Sequence, residues 1–560
     1  MIVYGDHIRC EPASSVSASV AQALGEVGRM SPGIDRHAAL VSAFVRAGEL
    51  VQGIADAEFE QRGCDAQSKA QEAGAAVLAA MAAAIDRSWQ SGFTADPDTG
   101  HLVRRLNGLA TAGFVRTRTG EGYAHYGLYP ESYLAAARSS GLGPDTCVIG
   151  IRSVGVSLAA LVACALGARV PFSVRPVGHP FDREIRAAPD LLAEADRLGD
   201  FAVVDEGPGL SGSSFASVAK WLVAQGVGMN RIHFFPSHDS EPGAMASPDT
   251  RRIWQRCARH PASSDAVLGA SGGLQQWLAG RIGPLTRPLR QHSIAPSIPQ
   301  DARFARSRFI ADTRAGRWLV KFAGVGQSGR LKLLDAQALA DACFGPQTVA
   351  LCYGFLVQKW ADGIPMTACR YDRGEFLKRL AAYLAFRVRR FGMAGPGASL
   401  GELRHMAIEN SREALGAEAA RQMEMRLADL ETLSGRIHRV RTDNRLHAWE
   451  WLVTNDGFLK LDAVDHCCAH DLVGCQDIAW DLADGIAEHD LQADEIVLLG
   501  ELLKREGIEV ERELTSMLLP CYLAFQLGMW TTAEGAGPGN AGVAERYARK
   551  LSQALREAPL

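Results

Sequence analysis

Between residues 146 and 237 short apolar runs alternate with helical patterns, and this alternation most constrains the fold. TCVIGI (146–151), VPFSVRP (170–176), FAVVDE (201–206) and RIHFFPS (231–237) suit strands. SLAALVACALG and ASVAKWLVAQG, set between them, repeat apolar residues at helical spacing. Strands alternating with helices imply a parallel sheet covered on both faces, hence an α/β fold. Ligands of such sheets sit beyond the carboxyl ends of the strands. The unusual polar loops, Arg152 to Gly155 and Asp205 to Ser214, both fall at those ends.

The rest of the chain exceeds that unit. At 560 residues it is too long for one ordinary core and implies two to four domains. Residues 1–115 read as a helical region with no evident chemistry, and 116–245 as the parallel-sheet domain. Residues 246–300, rich in Ser, Pro, Arg and Gly, read as a connector. Residues 301–560 open with strand pairs in ARSRFIADTRAGRWLVKFAG and TVALCYGFLVQKWADG. Helices follow, interrupted by a hairpin around Asn455-Asp456-Gly457. A small sheet before a helical lobe predicts a bilobal α+β unit with a cleft.

Composition narrows the partners. The hydrophobic fraction of 47% and charged fraction of 22% suit a soluble globular protein. A net charge of −4, with no basic stripe, argues against nucleic acid. The N-terminus MIVYGDHIRCEP lacks the apolar core of a signal peptide. The apolar run 73–85 is too short to span a bilayer. Twelve scattered cysteines then read as reduced thiols in a cytoplasmic protein. The expected partners are small molecules, neither membrane nor nucleic acid, with homo-oligomerisation allowed.

FAVVDEGPGLSGSSF places two acids beside a loop of small donors at a strand end. Carboxylates accept from sugar hydroxyls, while serine hydroxyls and helix-start N–H groups hold phosphate. The stretch resembles the phosphoribosyl diphosphate signature of type I phosphoribosyltransferases. Asp205 and Glu206 match its acidic pair; Ser211, Gly212, Ser213 and Ser214 match its Thr-Gly-x-Thr, with serine for both threonines and one extra linker residue. The upstream loop Arg152-Ser153-Val154-Gly155 resembles the family's pyrophosphate loop. Arg175, His179, Arg183 and Arg186 suit a diphosphate or a cover over it.

The second unit carries Lys321 inside an apolar strand, and a buried ammonium needs a partner. GFLVQKWADGIPM resembles the hinge of aminoglycoside and choline phosphotransferases, which are kinase-like. That resemblance implies adenine against the apolar strand, bonded to backbone near Gln358, Lys359 and Trp360. It makes Asp443 the catalytic aspartate and Asp462 the Mg²⁺ ligand, with Asp465 a competitor. The usual asparagine is replaced by Ala448, leaving Glu450 as the better oxygen ligand and His447 as the alternative. Asp477-Ile-Ala-Trp-Asp481-Leu-Ala resembles the closing motif that braces the catalytic loop.

Two further clusters carry weaker signals. EGYAHYGLYPESY (121–133) reads as a packed aromatic patch, with stacking on a flat acceptor as the alternative. His466, Cys467, Cys468, His470 and Cys475 read as packing groups rather than a zinc site, because adjacent cysteines point apart. Together the sequence predicts a bifunctional enzyme on ribosyl or nucleotide-like metabolites. Its cofactors would be Mg²⁺, ATP and phosphoribosyl diphosphate. A catalytically inactive nucleotide-binding sensor or scaffold is the competing class.

Overall fold

The structure, a computed structural model, describes all residues except 6–7, 110, 193–198, 271, 302–305, 393–394, 468–470, 534–537 and 558–560. Five parallel strands form the first sheet: β1 (Thr146–Ile151), β2 (Phe172–Val174), β3 (Asp200–Val204), β4 (Ile232–Phe235) and β5 (Ala258–Arg259). Their order is β2-β1-β3-β4-β5. Continuous apolar runs arise because both faces are covered. Val148, Ala202, Val204 and Phe235 face one core; Ile149, Phe201, Val203 and Phe234 face another. Helix α5 (Gly155–Leu166) packs on the first face and α6 (Ser213–Ala224) on the second.

The N-terminal region is helical as expected: α1 (Ala13–Val27), α2 (Ile34–Arg62) and α3 (Lys69–Gln90). These pack with α4 (Pro130–Ser139) over α5. Among the described residues, α2 is the one helix long and apolar enough to cross a membrane by length and composition. Here it is a core helix that buries Leu40, Phe44, Leu50 and Val51. The apolar run 73–85 lies in α3, with Val77, Leu78, Met81 and Ile85 inward.

The second sheet is antiparallel, in the order β6-β7-β8-β10-β9. Its strands are β6 (Arg290–Gln291), β7 (Arg308–Thr313), β8 (Gly316–Phe322), β9 (Thr348–Cys352) and β10 (Phe355–Lys359). Strand alternation sorts its side chains. Ala311, Trp318, Val320, Phe322, Phe355 and Val357 point back into the core that holds α2 to α5. Arg308, Leu319, Lys321 and Gln358 point forward into a cleft. The two sheets are thus tied through one continuous apolar core.

A buried polar knot reinforces that junction. Tyr353 sits at φ 41° and Gly354 at φ 97°, the paired positive values of a tight hairpin turn. The Tyr353 hydroxyl donates to Glu131 at 2.7 Å, and Glu131 also meets His37 Nε2 at 2.6 Å. The Tyr129 hydroxyl donates to the Tyr353 carbonyl at 2.9 Å. Tyr123, Tyr129 and Tyr133 are buried, so the aromatic segment is mainly packing.

Helix α7 (Gln327–Asp341) crosses the second sheet on its cleft side. The opposite lobe contains α8 (Arg373–Arg390), α9 (Ile478–Glu488) and α10 (Arg512–Thr532). The expected hairpin is present as β11 (Trp451–Thr454) and β12 (Gly457–Lys460). It delivers Asp462 to the cleft floor two residues beyond the strand end.

Candidate functional site

Lys321 is 3% exposed on the forward face of β8. Its Nζ lies 2.8 Å from Asp462 Oδ1 and 2.6 Å from Asp465 Oδ2. Burial opposes its charge, but the two aspartates outweigh that effect and raise its pKa. Lys332 of α7 approaches the other Asp465 oxygen at 2.9 Å. Burial would raise the Asp465 pKa, yet Lys321, Lys332 and Arg306 hold it well below the ordinary value.

The two aspartates therefore sit differently. Asp462 lines a cavity of about 360 Å³, together with Glu450, Lys321 and Arg308. Asp465 is 4% exposed and lies behind, between two lysines. Glu450 is raised in pKa by burial, opposed by Lys460 at 2.6 Å. Asp462 and Glu450, with Asp301 also on the lining, face the cavity with carboxylate oxygens, a donor type that suits a hard divalent cation.

Leu319, Gln358, Lys359 and Trp360 form the upper wall. Two of the backbone donors expected to meet a base are already used. Lys359 N–H donates to the Gln347 carbonyl at 2.8 Å and Trp360 N–H to the Arg317 carbonyl at 3.0 Å. The Gln358 amide donates to Thr348 Oγ1 at 3.0 Å. Neither backbone group is left to donate to a base in this conformation. The stretch expected to be only a connector also contributes, because Ile294, Ile298 and Pro299 line the cavity. Its Ser/Pro-rich sequence carried no signal for that role.

Asp443 does not line this cavity. It is 1% exposed, accepts from the Tyr383 hydroxyl, and lies 3.5 Å from Arg387 and 3.4 Å from Lys460. Lys460 stands between it and Glu450, so the expected direct access to an acceptor hydroxyl is absent in this conformation. The loop is braced from α9, whose residues three and four apart share one face. Asp481 accepts from Asp443 N–H at 2.7 Å and Asn444 N–H at 3.0 Å. Asp484 accepts from Leu446 N–H at 2.9 Å, and Glu488 meets His447 Nδ1 at 3.0 Å. His447 is thereby turned away from the cavity. Sequence reasoning missed Lys460, Tyr383 and Arg387, which come from a strand and a helix with no motif.

No protein-family model matches the sequence, and no curated protein sequence is significantly similar to it. Among solved structures, similarity is found to kinase-like small-molecule phosphotransferases. Choline kinase LicA from Streptococcus pneumoniae is 16% identical, over 48% of this chain and 93% of its own, at TM-score 0.34. A choline/ethanolamine kinase family protein from Mesorhizobium loti is 15% identical, over 50% and 96%, at 0.33. An ethanolamine kinase from Plasmodium vivax is 12% identical, over 62% and 95%, at 0.33.

A second chamber, of about 650 Å³, lies at the carboxyl ends of the parallel strands. Arg152, Ser153, Arg175, Glu206 and Ser214 line it, as the loops led one to expect. Several of the expected residues are at the same time engaged by the protein itself. Arg152 pairs with Asp65, and Arg175 with Asp56, so the N-terminal helical region does supply charged groups. Ser211 and Ser213 hydroxyls donate to the Pro180 carbonyl at 3.2 and 2.8 Å, within the hairpin 176–185. Gly212 takes φ 64°, the left-handed region that favours glycine, at the start of α6. Gly155 lets α5 approach β3: a Cβ there would lie 2.4 Å from the Val204 carbonyl.

Cys467 and Cys475 also line this chamber. Cys468 and His470 lie outside the described residues. His466 lies 3.8 Å from Glu450 on the other cavity. Burial, then Arg445 and Lys460, push its pKa well below the ordinary value, so it is neutral.

Burial drives the carboxyls of the strand end upward, Asp205 to about 7 and Glu206 to about 8. Neighbouring Asp205 and Glu121 push Glu206 further, while the Gly122 N–H at 3.1 Å opposes the shift. A carboxyl raised on folding binds its proton more tightly when folded. Its effect therefore lowers stability as pH rises from the unfolded value of 4.5 through the folded value near 8. Glu206→Gln keeps an acceptor for Gly122 but cannot ionise. The variant should match wild type near pH 4 and exceed it by roughly 1 kcal/mol or more at pH 8.5. Urea unfolding at both pH values measures this; equal offsets at both would contradict it.

Proposed function

We propose that the chain is an ATP-dependent small-molecule phosphotransferase, acting in the cleft between the second sheet and the helical lobe. The observation that carries this reading is the Lys321–Asp462 pair, 2.8 Å apart, at the floor of a 360 Å³ cavity under an apolar hinge strand. A lysine and an aspartate so placed are what phosphoryl transfer needs to hold phosphates and their metal. Asp462 would hold Mg²⁺ with Glu450 beside it. The metal, when bound, neutralises charge developing on the phosphates. Lys321 would orient the phosphates, Leu319 and Trp360 would enclose the base, and Ile294 and Ile298 would exclude water. Asp443 would act from behind, keeping Lys460 and the loop in register, and would reach an acceptor only after Lys460 moves.

The test is transfer from γ-labelled ATP with Mg²⁺ to a panel of hydroxylated acceptors. Choline, ethanolamine and aminoglycosides belong in it as hydroxylated acceptors of the phosphotransferase families that the hinge stretch resembles. Labelled product that disappears in Lys321→Met supports the reading. ATP binding without turnover on any acceptor would favour a nucleotide sensor, the reading that the enclosed Asp443 supports.

A second reading concerns the chamber at the parallel strand ends. Glu206, Ser214 and Arg175 on its wall support a site for phosphoribosyl diphosphate. The protein would then be bifunctional, with ribosyl or nucleotide-like metabolites as its substrates. Calorimetry with phosphoribosyl diphosphate and Mg²⁺ tests this half. No heat of binding would reject it without touching the phosphotransferase.

A further inference from the structure

The chamber at the strand ends is not built by the parallel-sheet unit alone. Gln327, Ser328 and Leu331 of α7, and Arg441 from the far lobe, stand on the same wall as Ser153 and Ser214. Three helix starts, of α5, α6 and α7, therefore converge on one space. None has a side-chain cap from its N-cap residue, and none carries an acid in its first turn.

A helix start carries unpaired backbone donors and a positive dipole end, and Ser153 beside the α5 start, Ser214 in the α6 start and Gln327 with Ser328 in the α7 start line the chamber. At α5, the Gly155 N–H is met by Asp205. At α6, Ser211 Oγ takes the Ser213 N–H at 3.3 Å. The α7 start is the barest: Gly326 precedes it at φ 81° and has no side chain to offer. Arginines surround the same space. Arg441 is held toward it by both oxygens of Asp335, at 2.9 and 2.8 Å. Arg118 and Arg183 line it as well.

We propose that this chamber is one composite site for a diphosphate-bearing anion, and that the α7 start with Arg441 binds the ligand together with the strand-end loops. It rests on the second reading above for where the ligand sits, and adds which unit completes the site. A ligand held so would touch both units, and neither unit alone would bind it at full strength. Helix starts and guanidinium groups suit phosphate oxygens better than a neutral sugar, so the diphosphate end faces α7.

The experiment places a competing anion on the α7 start of the full chain. An acid in the first turn of a helix favours the helix, so Gln327→Glu with Ser328→Asp should fold and melt at or above wild type. Binding of phosphoribosyl diphosphate, and separately of inorganic pyrophosphate, is measured by calorimetry at physiological salt. The double variant should lose at least tenfold in affinity for both probes. Ser214→Asp, on the strand-end side, should weaken both probes as well. If Ser214→Asp weakens binding and the α7 double variant does not, the composite site is wrong and the strand-end reading stands. If wild type binds neither probe, both fall. A fold lost in the double variant, seen as a lower melting temperature, would contradict the argument that the α7 start is an uncapped anion site.

Discussion

Asp462→Asn is expected to reduce phosphotransfer by about 10³-fold or more while leaving the fold intact. The size follows from losing the charge that holds a metal at the reacting phosphates, a loss of about 4 kcal/mol in the transition state. The fold survives for a local reason. Lys321 keeps Asp465 at 2.6 Å, so its buried ammonium is still paired when Asp462 becomes neutral. Asp462 is also the more exposed of the two, with a side chain 19% accessible on the cavity side. The measurement is turnover at saturating Mg²⁺ alongside thermal melting. An unchanged rate would remove Asp462 from the reaction.

Asp465→Asn should do the opposite: destabilise strongly. Its carboxylate is the shared counter-ion of Lys321 and Lys332, both buried. Removing one partner of a buried ion pair costs about 3–5 kcal/mol, because the charge left behind is uncompensated. The pH dependence has a definite sign. The folded pKa of Asp465 lies well below its ordinary value. Its contribution is therefore present above the unfolded pKa near 3.8 and is lost as pH falls through the folded value. Wild type and variant should differ fully at pH 7 and converge only in strong acid. A urea midpoint at pH 7 equal to that of wild type would overturn this. The sequence offered Asp465 only as a competitor for the metal, because the distant Lys332 could not be paired with it by spacing.

What was legible in the sequence follows from local periodicity. The parallel strands, the α5 and α6 helices and the strand pairs around Lys321 each show their own pattern within a dozen residues. The turn at Asn455-Asp456-Gly457 was readable because a hairpin needs positive φ, and Gly457 takes φ 113°. Lys321 and Asp462 were singled out from an apolar strand and a hairpin end, and the structure brings them together.

Long-range contacts were not legible. Nothing in residues 292–301 marks them as a cavity wall, since their role depends on where the second sheet lies. Asp56 and Asp65 belong to no motif, yet they hold Arg175 and Arg152. Lys460 lies on a strand whose alternation implies only an inward face. Its position between Asp443 and Glu450 depends on two elements folding against each other. The shared core behind the second sheet was hidden for the same reason, because Trp318, Val320 and Phe322 would look alike facing any apolar partner.

A crystal structure of the full chain with Mg²⁺ and a non-hydrolysable ATP analogue would locate the nucleotide and the metal directly. It should show adenine between Leu319 and Trp360, phosphates beside Lys321, and the metal on Asp462 with Glu450 adjacent. A nucleotide bound outside this cleft, or a metal on Asp465 with Asp462 uninvolved, would contradict this placement.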